Sequence, residues 1–110
     1  MSDGPELVRG SDNPFRDLGL PDPDTRLMKA DLAALILRAL RERRLSGADA
    51  ARLAGVQEAD ISRVRNADLG RFTIDRLVRI LNRLDRGIEV ALAVRPREAA
   101  ARPEEPGAAA

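Results

Sequence analysis

The sequence predicts a mainly α, compact helical bundle of about five helices with one C-terminal β-strand. Three observations predict it. Apolar residues recur at helical spacing in two long stretches, near residues 23–44 and 74–85. Between them lie two short helical stretches separated by Gly55. After them Ile88, Val90, Leu92 and Val94 alternate with Glu89, Ala91, Ala93 and Arg95, which is the period of a strand.

Residues 1–12, acidic and carrying Gly4, Pro5, Gly10 and Ser11, are expected to be a flexible leader. The domain spans 13–96. Asn13 to Gly19 reads as a short helical turn closed by Gly19, with Phe15 and Leu18 docking on the core. Asp22 is placed as the N-cap and Pro23 as the first residue of a long helix. Leu27, Met28, Leu32, Leu35, Ile36 and Ala39 make its apolar stripe, which Leu37 and Leu40 widen. Arg41, Arg43 and Arg44 crowd its last turn, where cations suit the helix dipole.

Ser46 and Asp49 have capping-box spacing and open a short helix over 48–54, with Ala50, Leu53 and Ala54 inward. Gly55 can take the left-handed conformation that ends a helix, and Val56 is placed as a buried connector. A second short helix covers about 58–66, with Ile61 and Val64 inward. Residues 66–70 form a loop. Thr73 caps a helix over about 74–85, with Ile74, Leu77, Val78, Leu81 and Leu84 on its apolar face and Gly87 at its end. Phe72 is a second core anchor. Pro96 stops the strand, and 97–110 is expected to be a disordered tail.

The composition argues for binding rather than catalysis. The 110 residues contain no Cys and no His, so disulfides, thiolate chemistry, Cys/His zinc sites and the commonest neutral-pH base are excluded. No constellation of nucleophile and base is visible, and no metal or other cofactor is expected. There is no apolar run of membrane-spanning length and no secretory h-region, which makes the cytoplasm the expected compartment. The net charge of +1 conceals an asymmetry. Residues 1–24 hold two arginines against six carboxylates, whereas residues 38–86 hold twelve arginines against seven. A basic centre suits phosphate contact.

The stretch from Ser46 to Asn66 carries the function. Two short helices meet at Gly55, with Ala50, Leu53, Val56, Ile61 and Val64 spaced to lock them across each other. Small Ala50 permits a close crossing. This is a helix-turn-helix arrangement, whose second helix enters the major groove of double-stranded DNA with its N-terminal half toward the bases. Burying an unpaired charge by Leu53→Asp is expected to unfold the motif. Glu58, Ala59, Ser62 and Arg63 are the base-contact candidates. Arg63 is suited to bidentate bonding with guanine, and Glu58 can accept from a cytosine amino group. Ser46, Gln57, Arg65, Asn66 and Arg71 are the phosphate candidates. Arg76, Arg79, Arg83 and Arg86 are placed on a solvated face or a dimer surface.

These residues also carry a resemblance. Asn13 to Gly19 with Pro21-Asp22, Lys29 to Leu32, Leu45-Ser46 through Val56, Asp60 to Arg63, Arg71 to Val78 and the strand 88–94 resemble the Cro/repressor-type (XRE) helix-turn-helix family. They resemble, more narrowly, its HigA-like antitoxins. The resemblance covers most of the chain. It implies a repressor that binds the operator of its own promoter and pairs with a cognate toxin protein. The sequence departs from that pattern at Gly47, where the family usually has a phosphate-binding Gln, and at Glu58-Ala59-Asp60, which makes the outer face of the second helix partly acidic.

A lone strand leaves its ladder unpaired. The expected solution pairs Ile88, Val90, Leu92 and Val94 with the same strand of a second copy, giving a homodimer with two recognition helices about one DNA turn apart. The alternative is addition to the sheet edge of a toxin. A stand-alone repressor and a protein-interaction dimer that has lost DNA binding are the competing functional readings.

Overall fold

The computed structural model describes residues 13–94 and 96. They form five helices: α1 (Pro14–Asp17), α2 (Pro23–Arg43), α3 (Gly47–Ala54), α4 (Glu58–Arg65) and α5 (Ile74–Leu84). The leader and the tail expected at the two ends lie outside the described residues.

Asn13 organises the N-terminal corner. Its Oδ1 accepts from the amides of Phe15 at 2.9 Å and Arg16 at 3.4 Å, while its Nδ2 donates to Pro23 O at 3.0 Å. This buried side chain therefore caps α1 and ties it to the start of α2. Gly19 closes the turn at φ +74°. Phe15 is half-buried, but Leu18 is 74% exposed and does not dock as expected, since α1 ends at Asp17 and Leu18 is its C-cap. Asp22 also departs from expectation. It sits at φ +51° and its side chain caps nothing. The Asn13 bond and an Arg26 Nε bond to Pro21 O at 2.7 Å hold this corner instead.

α2 is the spine, about 30 Å long at 1.5 Å per residue. It buries Leu32, Ala33, Ile36, Ala39 and Leu40. Leu27, Met28 and Leu35 are only half-buried. Arg44 ends it in the left-handed conformation at φ +55°. Arg43 Nη1 donates to Leu84 O at 2.8 Å, placing a cation on the terminal carbonyls of α5.

α5 packs chiefly along α2, and α3 fills the angle between α4 and α5. Thr73 Oγ1 accepts from Arg76 N at 3.1 Å and starts α5, which buries Leu77, Ile80, Leu81 and Leu84. Phe72, 1% exposed, anchors the preceding loop. α5 ends at Asp85 with an extended cap rather than at Gly87. Gly87 instead donates its N–H to Asp85 Oδ1 at 3.0 Å.

The expected C-terminal strand is not formed among the described residues. Its alternation nonetheless persists in burial as far as Val90. Ile88 and Val90 pack half-buried on the core, whereas Glu89 and Ala91 are exposed. Leu92 and Val94 are 71% and 83% exposed. A ladder needs a second edge, and a single chain of helices provides none.

Candidate nucleic-acid interface

The α3–α4 pair is built by small residues. Ser46 Oγ accepts from Asp49 N at 3.0 Å and begins α3. Arg52, first, and the Ser46 hydroxyl hold the Asp49 carboxyl below its ordinary value of 3.8. Ala50, Ala51 and Ala54 are buried, and none carries an atom beyond Cβ, so the helices approach closely. Gly55 takes φ +74°, and an added Cβ would sit 2.7 Å from Arg83 Nη1, which itself donates to Ala54 O at 3.2 Å. Ile61 and Val64, each 1% exposed, seat α4, and Val56 is half-buried beside them.

Leu53 corrects the inward set. It is 43% exposed, and Ala51 takes its place against the core. The two lie on opposite flanks of the Ala50–Ala54 line, and the flank that carries Ala51 is the covered one. Charge placed at Leu53 is therefore not buried, and the expected unfolding by Leu53→Asp does not follow from this structure.

The predicted contact residues separate into two groups. Glu58, Ala59, Ser62, Arg65 and Asn66 are exposed along one side of α4, with Gln57 exposed at its N-cap. Ser46 is exposed at the start of α3, and Arg71 is exposed in the loop before α5. Glu58 leans toward α3: a Cβ added at Gly47 would stand 3.5 Å from its Oε2. A carboxylate there faces the positive end of the α3 dipole. Arg63, by contrast, is engaged. Its Nη1 donates to Asp60 Oδ1 at 3.0 Å, and its side chain is 31% exposed.

Asp60 is the residue that sequence reasoning misplaced. Far from extending an acidic outer face, it is buried, 7% exposed, and accepts from three donors. These are Arg63 Nη1, Arg76 Nη2 at 3.0 Å and the Gln57 amide at 3.3 Å. Arg76 also lies 5.0 Å over the Phe72 ring. Arg76 is thus a structural tie between α5 and α4 rather than part of a solvated face. The Phe72–Arg76 spacing of one helical turn was a readable hint, but nothing in the sequence joins Arg76 to Asp60. Of the remaining α5 cations, Arg79 pairs with Asp75 at 2.7 Å.

Among the described residues no helix is long and apolar enough to cross a membrane, and no acidic cluster could hold a metal ion. No curated protein and no solved structure matches the chain. A family description does match, over residues 14–93, and it is that of a helix-turn-helix domain. With α3, the Gly55 turn and α4 all inside the matched span, the chain belongs to the helix-turn-helix domain family.

Proposed function

We propose that this protein is a sequence-specific DNA-binding transcriptional repressor that acts as a homodimer on its own promoter. The observation that carries the reading is α4. Ile61 and Val64 lock its inner face, while Glu58, Ala59 and Ser62 stand exposed on the other. Arg63 is the principal base reader. It spends one of its five N–H donors on Asp60, leaving Nη2 and Nε for a guanine edge. Asp60 acts as a positioning residue, holding that guanidinium in one orientation. Gln57, Ser46, Arg65, Asn66 and Arg71 contact phosphates and set the register.

The resemblance to HigA-like proteins supports an antitoxin role, with a toxin as protein partner. The exposed Leu92 and Val94 support pairing of the 88–94 segment across a two-fold axis. The competing interaction-only reading draws support from Glu58 beside Gly47, but loses Asp60, whose charge is met by two arginines.

The test is binding of the purified protein to its own upstream DNA at several salt concentrations, beside Arg63→Ala. Specific binding that falls steeply with salt and loses its sequence preference in the variant is the expected result. Absence of binding at low salt refutes the repressor reading and leaves the interaction-only one.

A further inference from the structure

Most arginines among the described residues are spent inside the fold. Six pair with carboxylates, and three more donate to backbone carbonyls. Five do neither among the described residues: Arg71 and Arg86, which lie elsewhere, and Arg41, Arg44 and Arg65. Arg41, Arg44 and Arg65 are exposed, and all three line one open cleft of about 360 Å³ floored by Leu37, Leu40 and Leu45. The leucines give the arginine stems an apolar surface to lie on, which leaves the charged heads at the rim.

Sequence distance hides this cluster. Arg41 sits in the last turn of α2, Arg44 is its left-handed cap, and Arg65 is the last residue of α4. Helix C-termini favour nearby cations, which explains one arginine at each end. It does not explain three guanidiniums, none paired among the described residues, gathered around one shared cleft, where like charges repel.

The position of the cleft suggests the anion. Arg65 lies seven residues beyond Glu58, about 10 Å along the α4 axis. The major groove is about 12 Å wide, so a helix whose N-terminal half faces the bases carries its C-terminal end to the flanking strand. We propose that Arg41, Arg44 and Arg65 form a clamp on the phosphate backbone of duplex DNA, beside the groove that α4 enters. This rests on the DNA-binding reading above and extends the interface from α3–α4 to the end of α2. The clamp adds affinity without sequence preference, because phosphates carry none.

The experiment measures the salt dependence of binding to a random-sequence duplex and to the protein's upstream DNA. The full-length chain is compared with Arg41→Gln/Arg44→Gln and with a control, Arg26→Gln/Arg79→Gln, that removes the same charge away from the cleft. The clamp predicts that the cleft variant loses about two units of the slope of log K against log salt on both duplexes, with their affinity ratio unchanged, while the control keeps the native slope. An unchanged slope in the cleft variant, with the native protein binding normally, overturns the clamp and leaves the repressor reading standing. An equal loss in the control assigns the effect to net charge and also overturns it. If the native protein binds neither duplex, both readings fall together. Thermal unfolding of each variant separates a helix-end role: a lowered midpoint with a native slope places these arginines in stability alone and rejects the clamp.

Discussion

At the scale of single residues, Asp60 and Leu53 exchange the roles that a helical wheel assigns them. Asp60 flanks the Ile61–Val64 stripe, and only the arrival of Arg76 from α5 decides that this flank is covered. Losing the carboxylate strands two arginines and an amide, although both guanidiniums are partly exposed and water repays part of the loss. Asp60→Ala is expected to lower unfolding stability by about 1–3 kcal/mol in urea titration, with broadened base preference in any DNA selection. Leu53→Asp should remain folded, losing about 1–2 kcal/mol through partial apolar exposure and an anion near a helix C-terminus. A collapsed circular dichroism signal would show Leu53 to be buried after all. Asp49 contributes in a defined pH window. Its carboxyl is held low, by Arg52 first, so its stabilisation is complete above its unfolded value of 3.8 and is lost as pH falls through the lower folded one. Asp49→Asn should therefore lower stability above about pH 4, and the difference from the native protein should vanish as pH falls below that, followed by circular dichroism.

At the scale of elements, the helix starts were legible and the ends less so. Ser46 and Thr73 cap as their spacing implies, because an N-cap is a local event within four residues. Gly19 and Gly55 take the positive φ that their turns require. Arg44 shows the limit of that reasoning. The end of α2 requires φ +55°, the sequence supplies no glycine there, and a non-glycine residue bears the strain. Arg44→Gly should raise unfolding stability by about 0.5–1 kcal/mol, relief of left-handed strain exceeding the extra chain entropy of glycine. The same variant should bind duplex DNA with a shallower salt dependence, if Arg44 belongs to the clamp. Thermal melting and a salt titration on one preparation read both effects.

At the scale of the whole molecule, the core closes without the C-terminal segment. Ile36, Leu77, Leu81 and Leu84 are fully buried among the helices, and the 88–94 segment contributes only Ile88 and Val90 at the margin. Among the described residues nothing covers Leu92 and Val94 beyond them. If the proposed homodimer pairs through this segment, Leu92→Lys/Val94→Lys leaves the helical signal intact and yields a monomer in sedimentation equilibrium. DNA affinity should then fall by far more than two-fold, because two half-sites no longer bind as one unit. A native protein that sediments as a monomer at all concentrations would overturn the dimer.

What the amino-acid sequence determined by itself is whatever depends on neighbours along the chain. It specified five helices, the Ser46 and Thr73 caps, the Gly55 turn, the Ile61–Val64 seat of α4 and the exclusion of Cys and His chemistry. The tertiary structure decided everything that turns on which flank of a helix a distant element covers. It buried Asp60 between Arg63 and Arg76, turned Leu53 outward in favour of Ala51, and gathered Arg41, Arg44 and Arg65 at one cleft. Periodicity gives the direction of an apolar stripe but not its width. Width is set by the packed neighbour, and a neighbour distant along the chain leaves no mark in local spacing.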